Sequence, residues 1–368
     1  MWTVSENKNW DFLQQRFNWV ARMDDVPQDV IYHAEGDVAI HTQMVLAALL
    51  AEPAFQQLDV QAQEILWAAA LLHDVEKYST TVMEADGRIT SNGHARKGAD
   101  TSRRLLYRDM PAPFAIREQI VGLVRYHGLP LWVFEKPDPA KALIMAAAEV
   151  NTQWLALLAR ADVKGRICND MDDLLFKVDC FEAFCQEQGC WGVPRAFSSD
   201  DARMYYLQHQ DAYLDYVPFD KSAAEVILMS GLPGAGKNTF ISKHYPDMPV
   251  ICLDDIRNQY GISPTDKAGN GRVIQEAKEQ ARVFLRKQRP FVWNATNTTR
   301  QMRAQLIELF TTYKVSVRIV YIEVPYAKLL LQNGSREAAI PLNALEKLID
   351  KLEVPGPNEA HVVQYQVL

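Results

Sequence analysis

From Val226 the chain reads Val-Ile-Leu-Met-Ser-Gly-Leu-Pro-Gly-Ala-Gly-Lys-Asn-Thr, an apolar run broken by Gly231, Gly234 and Gly236 and followed at once by Lys237, Asn238 and Thr239. Few backbones accommodate that order. It calls for a buried strand, a tight turn in which glycines take conformations other residues avoid, and a helix whose first N–H groups are unpaired. Such a turn gathers main-chain N–H groups, the positive end of a helix dipole and a lysine ammonium around one point, which makes a receptor for nucleotide phosphates. The expectation is an α/β unit that binds ATP or another NTP. Short β-branched runs at Val226 to Met229, Val250 to Leu253, Phe291 to Trp293 and Val315 to Val324 extend it. Strands alternating with amphipathic segments imply a parallel sheet with crossover helices.

The first half has a different texture. Apolar residues recur at three- and four-residue spacing over Val38 to Leu50, Gln61 to Leu72, Ala95 to Leu106, Ala115 to Tyr126 and Ala140 to Ala161, which predicts an all-α region. The join is expected near Val217-Pro218-Phe219-Asp220-Lys221-Ser222, where proline and polar residues interrupt both patterns. The 368 residues thus divide into two domains, 1–217 and 223–368, in keeping with roughly 150 residues per domain.

Met1 to Glu6 has neither a basic segment nor an apolar one, and no apolar stretch reaches the ~18 residues of a membrane span. A cytoplasmic location without membrane attachment is expected. Five cysteines without a Cys-x-x-Cys pair suggest neither a disulfide framework nor a thiolate zinc site. A net charge of −7 argues against coating nucleic acid through bulk charge but is compatible with a local basic groove. A homodimer is a candidate assembly.

Phosphoryl transfer needs a carboxylate near the acceptor hydroxyl and cations over the transferred group. Asp254-Asp255-Ile256-Arg257 follows the second strand, where open parallel sheets place their sites. There an aspartate can accept the hydroxyl proton while Arg257 holds an acceptor phosphate, and Arg336, between two helical segments, can close a lid onto the phosphates. Five of the eight histidines, His33, His41, His73, His94 and His127, fall in the helical half. Imidazole and carboxylate together suit a transition metal or Mg²⁺ that activates water against a phosphoester. His73 and Asp74 end an apolar helix, and His41 and Asp162 can reach them from others. His94 and His127 are candidates for a second metal or for substrate phosphate, and His33 for substrate or a helix-entry hydrogen bond. Lys77 and Arg166 are candidates for phosphate clamps or for ion pairs. Arg282, Arg286 and Arg289, spaced by four and three, are expected on one helix face, either a solvated stripe or a track for a nucleic-acid backbone.

The glycine loop together with Leu253-Asp254-Asp255-Ile256-Arg257, Trp293-Asn294-Ala295-Thr296-Asn297-Thr298-Thr299-Arg300 and Glu353 to His361 resembles the P-loop 5′-hydroxyl polynucleotide kinases of nucleic-acid repair. The resemblance implies Asp254 as general base, Arg257 on the acceptor's neighbouring phosphate, Arg336 as the lid arginine, and Mg²⁺ with the nucleotide. Two positions depart from it. Asn238 stands where the family carries a metal-binding Ser or Thr, and Thr239 lies about 100° further round the helix. Asn294 stands where many relatives have Asp. Altered metal handling is expected rather than loss of activity.

His33-Ala34-Glu35-Gly36-Asp37-Val38-Ala39-Ile40-His41, Leu72-His73-Asp74-Val75-Glu76-Lys77, Gly93-His94-Ala95 and Ala161-Asp162-Val163-Lys164-Gly165-Arg166 resemble the HD phosphohydrolases, and more closely the HD domain attached to bacterial tRNA nucleotidyltransferases. That implies hydrolysis of 2′,3′-cyclic and terminal phosphates with a divalent metal, Mn²⁺, Ni²⁺, Co²⁺ or Mg²⁺. The order of the two parts is similar to that of the bifunctional end-healing enzymes known as HD-Pnk: an all-α HD bundle followed by an α/β P-loop kinase domain. The implied substrates are RNA or DNA breaks with a 5′-hydroxyl and a 2′,3′-cyclic or 3′-phosphate, with a nucleic-acid ligase acting downstream. The competing reading is a small-molecule kinase fused to an HD nucleotide phosphohydrolase.

Overall fold

Helices built on polar caps make up most of the first of two units, Met1–Ala196 and Phe197–Leu368, in the computed structural model, which describes residues 1–219, 224–263, 265–335 and 339–368. In the first unit α1 (Val38–Ala51) starts where the Asp37 carboxylate accepts from Ile40 N, and α2 (Val60–Leu72) where Asp59 accepts from Ala62 N at 2.9 Å. Aspartate at such a position stabilises a helix by about 1 kcal/mol. Every residue of α2 from Ile65 to Leu72 is buried. Its alanines 68–70 let neighbouring helices approach closely, so α2 is the axis of the unit and its C-terminal end lies deep inside.

A two-stranded hairpin of β1 (Val82–Met83) and β2 (Ile89–Thr90) leads through Gly93 into α3 (His94–Arg104), which packs on α4 (Phe114–Tyr126). The single helix expected over Ala140 to Ala161 is two, α5 (Pro139–Ala147) and α6 (Thr152–Lys164), bent by 107°. The Asn151 side chain accepts from Gln153 N and Trp154 N and starts a new helix. No proline or glycine marks that break, so the apolar spacing ran through it.

Gly165 ends α6 against α1, where a Cβ would lie 2.5 Å from Val45 Cγ2 and 2.7 Å from Val45 N. The contact with backbone cannot be relieved by a rotamer. Gly165→Ala is expected to cost about 1–3 kcal/mol, as overpacking does, lowering the melting temperature by ~2–4 °C per kcal/mol. A scanning-calorimetry trace identical to wild type would show that this approach carries no weight.

The second unit holds a five-stranded parallel sheet in the order β4-β5-β3-β6-β7, formed by β3 (Glu225–Ser230), β4 (Val250–Cys252), β5 (Phe291–Asn294), β6 (Ser316–Glu323) and β7 (Val362–Val367). Four strands lie where the sequence predicts them. The fifth, Val-Val-Gln-Tyr-Gln-Val, is an edge strand with one face half-buried, and its alternating polar residues hid it. The helix α7 (Asp200–Gln208), expected with the helical half, falls in this unit. Arg203 ties it there, donating to the carbonyls of Pro357 at 2.7 Å, Ala360 at 3.1 Å and His361 at 2.6 Å. Asp220 to Ser222 of the expected join lie outside the described residues.

After α8 (Lys237–His244) and α9 (Leu253–Tyr260), the long helix α10 (Lys267–Arg286) stops short of Arg289. Gln288, at φ +50°, turns the chain away, so Arg289 stacks on Phe284 rather than continuing the face of Arg282 and Arg286. The arginine stripe is therefore not a single helical face. Arg303 is fully buried, bonded to Glu359 through Nε at 2.6 Å and Nη2 at 2.9 Å, and to the Asn297 and Glu353 carbonyls. That staple fixes the loop after β5 beside the glycine loop. No single helix among the described residues is long and apolar enough to cross a membrane.

Candidate active sites

His73, at the C-terminal end of α2, and Asp74 beside it are buried in the heart of the first unit together with His41 of α1, Asp162 of α6 and His127, which follows α4. His94 begins α3 at the same place and is partly exposed. A common device aims four of the rings. Each presents Nδ1 to a main-chain carbonyl: His41 to Gly165 at 3.2 Å, His73 to Ala70 at 2.7 Å, His94 to Ser91 at 2.7 Å and His127 to Val124 at 2.9 Å. With the proton on Nδ1, every Nε2 is left with a lone pair facing inward.

Asp74 lies between them. Its Oδ2 is 3.2 Å from His73 Nε2 and 3.7 Å from His41 Nε2, while Oδ1 is 3.4 Å from His94 Nε2. Beyond it His94 and His127 face each other Nε2 to Nε2 at 3.2 Å, and His41 Nε2 is 3.1 Å from Asp162 Oδ1. The donors fall into two groups, His41, His73 and Asp162, and Asp74, His94 and His127, each with its ligand atoms within 4.8 Å of one another. His73 Nε2 and both carboxylate oxygens of Asp74 are buried without a hydrogen bond of acceptable geometry. Lys77 Nζ offsets the charge on Oδ2 from 2.8 Å, but leaving His73 Nε2 and Asp74 Oδ1 unsatisfied is expensive, and nitrogen lone pairs facing carboxylate oxygens are what divalent cations bind. The residues fit one or two such ions.

Charge is arranged to the same end. Burial opposes ionisation of Asp74, but His73 and Lys77 outweigh it and hold the carboxyl well below its usual range. Arg166, with Nη2 2.5 Å from Asp162 Oδ2, does the same for Asp162 against burial. Burial, reinforced by neighbouring His94 and His73, lowers the His127 pKa to about 3, and burial also lowers that of His94. Both rings are therefore neutral ligands at ordinary pH. His73 goes the other way, because Asp74 outweighs its burial. Lys77 and Arg166 are not surface pairs: Lys77 Nζ sits 2.8 Å from Asp74 Oδ2 and donates to Gln28 Oε1 at 2.7 Å. His33 bonds Glu35 rather than a helix entry, with Nδ1 2.8 Å from Oε1. Burial lowers its pKa to about 4 despite that contact.

Glu35 stands in the stretch from His33 to His41, where the residue pattern assigns it no role. A glutamate in a loop between two histidines signals no role until the fold folds it back. Burial works against its charge, yet His33, His41 and the Ile167 N–H hold its carboxyl far below the usual range.

In the second unit the glycine loop takes the predicted form. Gly231 has φ +142°, and a Cβ there would lie 2.4 Å from the Ile322 carbonyl oxygen of β6, so only glycine fits. Gly236, at φ +101°, starts α8, and Gly234 has φ +85°. Lys237 Nζ reaches back over the loop to the carbonyls of Gly231 at 2.9 Å and Leu232 at 3.0 Å. Asn238 and Asn294, the two departures, touch each other: Asn294 Nδ2 donates to Asn238 Oδ1 at 2.8 Å. Thr239 is exposed. Asp254 projects from the first turn of α9, ion-paired to Arg257, whose Nε also donates to Asn270 Oδ1 at 2.6 Å. Arg336 lies outside the described residues.

Residues 38–154 match the HD domain family, and residues 226–355 match the AAA domain family. This is an HD phosphohydrolase domain fused to a P-loop kinase-like domain. The HD match contains His41, His73, Asp74, His94 and His127 but stops before Asp162 and Arg166, which the fold returns to the same place. A multifunctional CCA protein of Halorhodospira halophila (strain DSM 244 / SL1) is 37% identical over 102 residues, 28% of this chain and 22% of that protein. Another, of Thioalkalivibrio sulfidiphilus (strain HL-EbGR7), is 33% identical over 112 residues, 30% of this chain and 24% of that protein. The matched stretch thus spans about a quarter of the length of these curated relatives. A solved sugar kinase from Janibacter sp. HTCC2649 is 17% identical, covers 39% of this chain and 84% of its own, and superposes with a TM-score of 0.29.

Proposed function

We propose that the protein is a cytoplasmic end-healing enzyme for broken RNA or DNA. The kinase-like domain phosphorylates 5′-hydroxyl ends with an NTP, the HD domain clears 2′,3′-cyclic and 3′- or 2′-phosphates, and a ligase acts on the product. The observation that supports a nucleic-acid acceptor is the pairing of Asp254 with Arg257 at the carboxyl edge of the sheet. A small alcohol needs a base alone, whereas an arginine fixed beside the base suits an acceptor that carries its own phosphate. Lys237 and the loop N–H groups hold the NTP phosphates. Asp254 takes the hydroxyl proton as the 5′ oxygen bonds the γ-phosphorus, and the NDP leaves. Mg²⁺ accompanying the nucleotide supplies neutralisation of the phosphate oxygens.

In the HD domain, divalent cations held by His41, His73, Asp74, Asp162, His94 and His127 supply Lewis acidity toward phosphoester and water. Lys77 and Arg166 place two further positive charges on the wall of the same pocket, where they offset the charge of a bound phosphate. His33, its Nδ1 proton given to Glu35, stands at the rim with Nε2 free to accept a hydrogen bond from substrate. The test is an oligonucleotide bearing a 5′-hydroxyl and a 2′,3′-cyclic phosphate, incubated with ATP and Mg²⁺, Mn²⁺, Ni²⁺ or Co²⁺ and read at both termini by mass spectrometry. Both ends are expected to change. Phosphorylation of free sugars or nucleosides in preference to oligonucleotides would replace this reading with that of a small-molecule kinase.

A further inference from the structure

Glu35 belongs to neither group of inward-facing donors around Asp74, yet its side chain is completely buried. One oxygen, Oε1, serves two rings, lying 2.8 Å from His33 Nδ1 and 2.9 Å from His41 Nδ1. The other accepts from Ile167 N at 2.9 Å, and Ala34 N donates to the Ile167 carbonyl at 2.9 Å. The carboxylate is thus pinned between the loop that follows α6 and the segment that leads into α1.

His41 differs from its three companions in a way that gives this contact a purpose. Its main-chain acceptor is the longest of the four, 3.2 Å against 2.7–2.9 Å. Among the four rings it is the one whose remote nitrogen has a carboxylate beside it in the structure. A carboxylate on the far nitrogen of a ligating imidazole fixes the tautomer, stops the ring from rotating and makes the near nitrogen a better donor. We propose that Glu35 is a positioning residue for the HD centre, holding His41 Nε2 toward the cation and, through the same oxygen, holding His33 perpendicular to it at 4.8 Å between ring centroids.

His33, Glu35 and His41 could by spacing bind an ion of their own. A cation there would require His41 Nδ1 without its proton, which would break the bond to the Gly165 carbonyl and turn the tautomer away from the inner group. A hydrogen-bonded hub is the consistent reading.

The inference rests on the HD pocket being a divalent-cation centre, and the experiment separates the two. Mn²⁺ is titrated into the full chain and the free ion is read by electron paramagnetic resonance, for wild type, Glu35→Gln and Asp74→Asn. Loss of a supporting carboxylate typically weakens metal binding by about 10–100-fold, and that range is expected for Glu35→Gln, with kinase activity and metal-free melting temperature unchanged. Wild-type affinity in Glu35→Gln with weakened binding in Asp74→Asn would overturn the role of Glu35 alone. Wild-type affinity in both would overturn the cation centre itself. If Glu35→Gln lowers the metal-free melting temperature, Glu35→Asp, which keeps the charge, should bind Mn²⁺ more tightly than the amide variant; equal or weaker binding would overturn the proposal.

Discussion

Asp74→Asn should lower kcat/KM for phosphoester hydrolysis by on the order of 10³-fold or more, equivalent to about 4 kcal/mol at 1.36 kcal/mol per decade, and leave the kinase reaction untouched. The reason lies in the position of the carboxylate: Oδ2 faces His73 and His41 while Oδ1 faces His94. An amide keeps the volume but offers one oxygen instead of two and removes the charge, so one of the two groups of donors loses its anionic member. A second readout follows from linkage. A ligand at a hundred times its dissociation constant stabilises the folded state by about 2.7 kcal/mol, so Mn²⁺ should raise the melting temperature of wild type and fail to raise that of Asp74→Asn. An equal rise in both proteins would mean that the ion binds elsewhere.

Lys237→Ala is the complementary experiment. Its ammonium is the cation that the glycine loop itself supplies, and Nζ already spans the loop between the Gly231 and Leu232 carbonyls. Removing one preorganised charge from a developing phosphoryl group costs about 10²–10³-fold in rate, and that loss is expected for NTP-dependent phosphorylation while phosphoester hydrolysis persists. Asp254→Ala should behave likewise if that carboxylate receives the proton. Loss of both activities on either substitution would refute two independent sites.

What could be read from the residues alone divides along physical lines. The glycine loop was legible because glycine is needed at Gly231 for a contact with β6 that leaves no room for a side chain, and such constraints are written locally. His73 and Asp74 were legible because polar residues at the end of an eight-residue apolar run cannot be there for packing. Glu35 was not, since its importance depends on a residue 132 positions later, Ile167, closing over it. The break between α5 and α6 escaped notice because a side-chain cap competes with helix continuation without any breaker residue. Arg203 betrays its attachment to the second unit only through three carbonyls more than 150 residues downstream.

The four imidazoles that hand their outer protons to main-chain oxygens have one more implication. Three rings anchored to peptide carbonyls, and His41 anchored by a carbonyl and Glu35 together, are oriented before any ion arrives, so loading requires no tautomer exchange. A socket so rigid and so generic in its nitrogen and oxygen donors discriminates weakly among first-row divalent ions, whose affinities follow their own intrinsic order. The occupant is then decided by which cation is in supply, and phosphoester hydrolysis by this domain should rise and fall with the available metal pool.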